Sequence, residues 1–214
     1  MKKLLTALAG LLLMACNTDN YDSGDGDLSY LRADFVEAHT SAPMTIDRAV
    51  NDEGTDIFLA TPLKAQWATK ADTTYRALLY YNNVKNAAEP LSVAQVFVLT
   101  PKKAEDIEGG AKTDPVVFDS AWLSENKRYI NLGLQLKTGK SDDQDAIQTI
   151  GIVRDDDRDD VLSFTFVHNQ GNIPEYYSSR IYVSIAVDAA MHGKTVVLHV
   201  NSYDGPVERS FQID

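Results

Sequence analysis

The stretch Ile130-Asn131-Leu132-Gly133-Leu134-Gln135-Leu136-Lys137 decides the fold. Its apolar residues fall on every second position. Period two belongs to an extended strand, whose successive side chains point to opposite faces. The pattern repeats away from this centre. Ile181, Val183, Ile185 and Val187 alternate with Tyr182, Ser184, Ala186 and Asp188, and Leu162, Phe164 and Phe166 alternate with Ser163 and Thr165. Val196, Leu198 and Val200 form a further inward set. One buried and one wetter face per strand is the mark of antiparallel sheet. Turn chemistry separates the runs at Asn51-Asp52-Glu53-Gly54, at His168-Asn169-Gln170-Gly171-Asn172 and at Tyr203-Asp204-Gly205-Pro206. Only Tyr75 to Val84 fits a helical period as well as a strand period.

The polar segment 102–114, KKAEDIEGGAKTD, divides the strand pattern at Gly109-Gly110. About five short strands precede it, near 30–38, 44–50, 55–60, 75–84 and 91–100, which suits a small Greek-key barrel of the OB type. About seven follow over roughly 100 residues, which suits an immunoglobulin-like antiparallel β-sandwich. The expected order is all-β, with an OB-like barrel over 29–103 and a sandwich over 112–214.

The N-terminus carries a different message. Met1-Lys2-Lys3 precedes an apolar run from Leu4 to Met14, too short to span a bilayer as a helix but suited to a signal peptide over 1–15. Leu13-Met14-Ala15-Cys16 resembles a lipobox, and the single cysteine of the chain falls at its lipidation position. Cleavage would leave Cys16 as an acylated N-terminus, so the expected partner is a membrane held through that anchor. Residues 17–27, NTDNYDSGDGD, hold Asp19, Asp22, Asp25 and Asp27 with no aliphatic side chain and no base. Residues 16–28 therefore read as a solvated tether. An acidic stretch just after the lipidated cysteine also resembles the surface-export signal of Bacteroidetes lipoproteins, which implies an outer-membrane location facing the cell surface.

The formal net charge is −11, with 20 basic against 31 acidic residues. A polyanion would be repelled, and no basic stripe compensates, so no nucleic-acid partner is expected. One cysteine excludes a disulfide framework and a cysteine-rich zinc site.

On these features together the chain resembles the NigD-like lipoproteins of Bacteroidetes. The resemblance runs through Cys16, the acidic tether, Leu31-Arg32-Ala33-Asp34-Phe35, Ala65-Gln66-Trp67 and Arg76-Ala77-Leu78-Leu79-Tyr80-Tyr81. It continues through Tyr129-Ile130-Asn131-Leu132 and Arg180-Ile181-Tyr182-Val183-Ser184-Ile185. It implies an N-terminal OB-like domain followed by a C-terminal β-sandwich, and it carries over no catalytic motif.

The search for chemistry returns near misses. Gly139-Lys140-Ser141 lacks the upstream glycine of a phosphate loop, because Leu134 stands at the required position, and it reads as a hairpin turn. Arg154-Asp155-Asp156-Asp157-Arg158-Asp159-Asp160 should be a hairpin loop. Asp155, Asp157 and Asp159 are calcium candidates, set against a solvated turn with Arg154 and Arg158 as counter-charges. Asp142, Asp143 and Asp145 would join them only if the fold brought both loops to one end. His39, His168, His192 and His199 fit no catalytic or metal motif and read as polar loop or strand-face residues. Trp67, Tyr75, Tyr80, Tyr81 and Trp122 could stack on a sugar or peptide, or fill and edge a core.

The expectation is a lipid-anchored, non-enzymatic binding or scaffolding module with no cofactor, facing an envelope protein or glycan. Two alternatives stand beside it: an immunity or envelope-stress role, and a hydrolase with a site at the domain interface. A cleft with two close carboxylates or a Ser-His pair would favour the hydrolase; flat loops and exposed aromatics would favour binding.

Overall fold

The computed structural model describes residues 31–84, 87–107, 110–155, 158 and 160–214. Cys16, the acidic tether, Gly109, Asp157 and Asp159 lie outside the described residues.

Five strands, β1 (Leu31–Ala42), β2 (Thr45–Asn51), β3 (Asp56–Lys64), β4 (Thr73–Val84) and β5 (Ala87–Gln95), close into a barrel in the order β1-β2-β3-β5-β4. β1 pairs antiparallel with β2 on one side and β4 on the other, and the ring closes where Leu59 of β3 meets Ala88 of β5 in parallel. This is the expected OB-like barrel. Its interior is narrow, and buried alanines at 38, 49, 65, 68, 77 and 88 leave room for Val36, Ile46, Ile57, Leu79 and Tyr81. Residues 77–81 are apolar on both faces. Ala77, Leu79 and Tyr81 join the barrel core, whereas Phe35 and Leu78 join a separate cluster outside it. Two covered faces explain why the alternation of this strand was ambiguous.

The remaining strands are β6 (Phe97–Leu99), β7 (Val117–Leu123), β8 (Tyr129–Thr138), β9 (Thr149–Arg154), β10 (Val161–Asn169), β11 (Tyr177–Ala186), β12 (Lys194–Ser202) and β13 (Gly205–Ile213). They form two four-stranded sheets, β13-β12-β10-β9 and β6-β11-β8-β7. Ile130, Leu132, Leu134 and Leu136 of β8 meet Leu162, Phe164 and Phe166 of β10 in the core between them, with Val196, Leu198 and Val200 of β12. The pairings are antiparallel except β10–β12 and β6–β11, which are parallel.

Two expectations are corrected here. The strand placed at 91–100 is two strands: β5 ends at Gln95 in the barrel and β6 joins the sandwich beside β11. The change from barrel to sandwich therefore falls at Val96, not at 103–112. Both ends of the polar segment, Lys102 and Asp114, are stitched to the sandwich. The Lys102 amide donates to the Ile152 carbonyl, Arg154 N–H donates to the Lys102 carbonyl, and Asp114 N–H donates to the His168 carbonyl. Its polarity reflects an exposed edge. Second, Gly139-Lys140-Ser141 is not in a hairpin. β8 pairs with β7 and β11 while β9 pairs with β10, so residues 139–148 cross from one sheet to the other.

Candidate functional site

The junction between barrel and sandwich was one place to look for chemistry. Arg76 on β4 is 4% exposed, and its guanidinium donates to both carboxylate oxygens of Asp52 at 2.6 and 2.7 Å. It also donates to Asn131 Oδ1 at 3.0 Å and Ser184 Oγ at 3.3 Å on the outer face of the β8–β11 sheet. Its flat face lies 4.1 Å from the centre of the Tyr129 ring, a cation–π contact. Glu37 of β1 accepts from the Tyr129 hydroxyl at 2.8 Å and from Arg128. Burial, reinforced by the Glu37 hydrogen bond, pushes the Tyr129 phenol up to about 12. Phe35 meets Trp122 at 5.4 Å and Tyr182 at 5.3 Å between ring centres, both edge-to-face. Asp52 and Glu37 thus spend oxygens on fixed donors, and the groups they hold make this surface a joint.

The acidic segments separate. β9 runs between them, so Asp142, Asp143 and Asp145 lie at one end of that strand and Asp155 at the other. Asp155 accepts from Ser163 Oγ at 3.1 Å and Thr165 Oγ1 at 2.8 Å. Among the described residues no three His, Cys, Asp or Glu side chains gather into a metal site. The histidines also part company. His39 faces Asp47 at 3.2 Å, His192 bonds the Asp214 carbonyl, and His199 lies 3.6 Å from Glu208. His168 sits on a strand, β10, and is buried. It is 1% exposed, with Nδ1 at the Asp114 carbonyl and Nε2 at the Gln148 amide, a structural tie between β10 and the segments beside it.

The expected aromatics are packing residues. Trp67 stands edge-to-face on Tyr75 against the barrel core, the Tyr81 hydroxyl donates to Asp34, and Tyr80 and Trp122 pack at the junction.

Besides Phe58 on the barrel and Phe97 on β6, the exposed aromatics are tyrosines gathered elsewhere. β8, β10 and β12 all run out at the same end of the sandwich, where the segments 139–148, 170–176 and 203–204 meet. Tyr176 is 77% exposed, Tyr177 60% and Tyr203 42%, with Ile147 at 66% beside them. The segments are held to one another. Ser141 Oγ donates to the Asn172 carbonyl, Asn172 Nδ2 donates to Asp143 at 3.1 Å, and the Tyr203 hydroxyl donates to Glu175 at 3.0 Å. Gln170 Nε2 donates to the carbonyls of Lys137 and Ile173. The Asn172 contact holds the Asp143 carboxyl below its ordinary range, and burial together with Glu175 raises the Tyr203 phenol. This is a fixed, exposed, aromatic surface on a rigid scaffold, the arrangement that recognition loops take on β-sandwiches. The tyrosines escaped the strand analysis because they sit outside its alternation. The available signal was the pair Tyr176-Tyr177 directly after Pro174-Glu175.

An OB-like barrel joined to a β-sandwich with a loop-borne aromatic surface defines an all-β, two-unit module. Residues 95–213 match the family described as NigD-like C-terminal beta sandwich domain, and the chain belongs to that family. A NigD-like immunity protein from Bacteroides caccae ATCC 43185 shares the fold at TM-score 0.66 and 23% identity, over 86% of this chain and 97% of that one. A protein of unknown function from Bacteroides vulgatus ATCC 8482 matches at TM-score 0.62 and 12% identity, over 86% and 91% of the two chains. A candidate lipoprotein from Bacteroides fragilis NCTC 9343 matches at TM-score 0.54 and 12% identity, over 86% and 97%. No curated protein gives a significant match. The start of the family match at residue 95 coincides with the passage from barrel to sandwich at Val96.

Proposed function

We propose that the chain is an envelope lipoprotein anchored through Cys16, and that it binds a partner through the 139–148, 170–176 and 203–204 end of the sandwich. The observation that carries this reading is the group of exposed tyrosines on, or next to, loops tied to one another by hydrogen bonds. Rigid aromatic anchors bind at a low entropic cost because little must be ordered on contact. The barrel, clamped to the sandwich through Arg76, serves as a fixed spacer between tether and loops.

The Cys16 anchor rests on the lipobox, and the likeness to a candidate lipoprotein supports it. The tether's four aspartates support display at the cell surface, since an acidic segment stays extended and clear of anionic headgroups. Protease added to intact cells should cut the chain, and changing Asp19, Asp22, Asp25 and Asp27 to Asn should remove that sensitivity while leaving membrane association intact. Cleavage only after the outer membrane is opened would place the chain on the periplasmic side.

The binding role is tested with the chain from Asn17 onward, which keeps every described residue. Retention of an envelope component from outer-membrane extract should be lost in Tyr176→Ser/Tyr177→Ser and kept in Phe58→Ser. Equal retention by both variants would move the site away from the loops. A second reading, an immunity role, is supported by the likeness to a NigD-like immunity protein. It makes the partner a toxin and leaves the surface the same.

A further inference from the structure

We infer that the loop end takes a neutral oligosaccharide, an inference that rests on the binding role proposed for the same surface. The side chains there have the composition that sugars recruit. Tyr176 and Tyr177 present largely uncovered rings, and no hydrogen bond within the described residues involves either hydroxyl. They hold nothing together, yet they are fixed in position. Tyr177 is paired with Thr138 at the start of β11, and the Tyr176 amide donates to the Thr138 carbonyl. The Tyr176 ring lies over Gly139, where an added Cβ would meet it at 2.8 Å, so the glycine gives the ring its seat.

The same end of the sandwich carries planar acceptors already aimed by their neighbours: the Glu175 carboxylate held by Tyr203, and the Asp143 carboxylate held by Asn172. A pyranose offers a C–H face for a ring and a rim of hydroxyl donors for such acceptors. Exposed aliphatic surface is scarce, with Ile147 the large exposed aliphatic residue of the three segments among the described residues. Charge narrows the choice further. Asp142, Asp143, Asp145, Glu175 and Asp204 outnumber Lys137 and Lys140, so phosphate, sulfate and uronic acid groups would be repelled. An uncharged sugar chain meets no such penalty.

The test measures binding by calorimetry with five neutral hexasaccharides: maltohexaose, cellohexaose, mannohexaose, xylohexaose and chitohexaose. At least one should bind the chain from Asn17 onward. Tyr176→Ala/Tyr177→Ala should weaken it by about tenfold or more, the scale of a lost binding hot spot. Tyr203→Phe, which keeps the ring and frees Glu175, should weaken it less, and Phe58→Ala should leave it unchanged. The melting temperature of each variant checks that the fold survives. If none of the five binds, or if binding ignores the double substitution, the oligosaccharide assignment is overturned. The two failures are distinguishable. A protein partner whose retention is lost in Tyr176→Ser/Tyr177→Ser leaves the loop end standing as the recognition surface and removes only the sugar.

Discussion

Arg76 of the barrel donates to Asn131 Oδ1 of the sandwich at 3.0 Å, and both side chains are buried. Asn131 lies on the face of β8 opposite the apolar row Ile130, Leu132, Leu134 and Leu136. The barrel is what covers that face. Replacing Arg76 by Met removes the cation and leaves Asp52 and Asn131 facing apolar surface. Breaking a buried ion pair on one side costs about 3–5 kcal/mol. Urea denaturation should show a lower midpoint. Arg76→Lys should recover little, because a single ammonium does not reproduce the two-pronged contact with Asp52. A loss below about 1 kcal/mol would mean the joint lies elsewhere.

Gly133 is the second control point of the joint. A Cβ there would meet Ser120 Oγ at 3.0 Å and the Tyr182 ring at 3.2 Å. Tyr182 is the ring that meets Phe35 across the junction. Gly133→Val should push Tyr182 off Phe35 and destabilise the chain by about 1–3 kcal/mol, as overpacking does. Trp122, also against Phe35, should report the shift in its fluorescence. An unchanged emission maximum and unchanged stability would contradict this.

The covered face of β8 explains how much of the fold the sequence disclosed. Period two in 130–137 revealed the strand, and both architectures followed from strand counts and turn residues. The same alternation concealed the joint. Asn131, Gly133, Tyr182 and Ser184 read as a wetter face because they are polar or small, whereas their partners Arg76, Phe35 and Asp52 are distant in the chain. Polar residues chosen to pair across an interface look like solvated ones until the partner is known. The boundary was misplaced for a related reason, since Lys102, Lys112 and Asp114 are polar but hydrogen-bonded to the sandwich strands. The loop tyrosines lay outside every periodic run, and their assembly depends on three connections meeting at one end.

Alkaline pH should loosen the joint. Tyr129 is raised to about 12 by burial and by Glu37, whereas an unfolded tyrosine titrates near 10. Burial also raises Tyr81, with help from Asp34. A raised pKa means the folded chain holds protons that the unfolded chain has released. The stabilisation is full below about pH 10 and is lost as pH rises through about 12. Absorbance at 295 nm should show a late set of tyrosinates appearing together with unfolding, and Tyr129→Phe should flatten the loss of stability. Complete titration of all tyrosines near 10 with the fold intact would contradict it.

The corrected boundary predicts how fragments behave. A piece covering 95–214 keeps β6 beside β11 and the Lys102 contacts to β9. A piece covering 113–214 loses both and exposes Ile152 and Ile185 at two sheet edges. The longer piece should melt cooperatively and at the higher temperature. Equal melting temperatures would show that 95–112 adds nothing to the sandwich.

The proposed membrane attachment rests on Cys16. Cys16→Ala should leave the chain unprocessed or released from the membrane fraction. Normal processing and unchanged fractionation of the variant would remove the lipid anchor from the account.

The claim that the loop end is the recognition surface is tested most directly by photocrosslinking in living cells. A benzophenone amino acid placed at 176 should yield a partner adduct on irradiation, because Tyr176 stands at the proposed contact and makes no hydrogen bond of its own within the described residues. The same probe at 58, an exposed aromatic position on the barrel, should yield none. Adducts from position 58 with none from 176 would contradict the account and move recognition to the barrel.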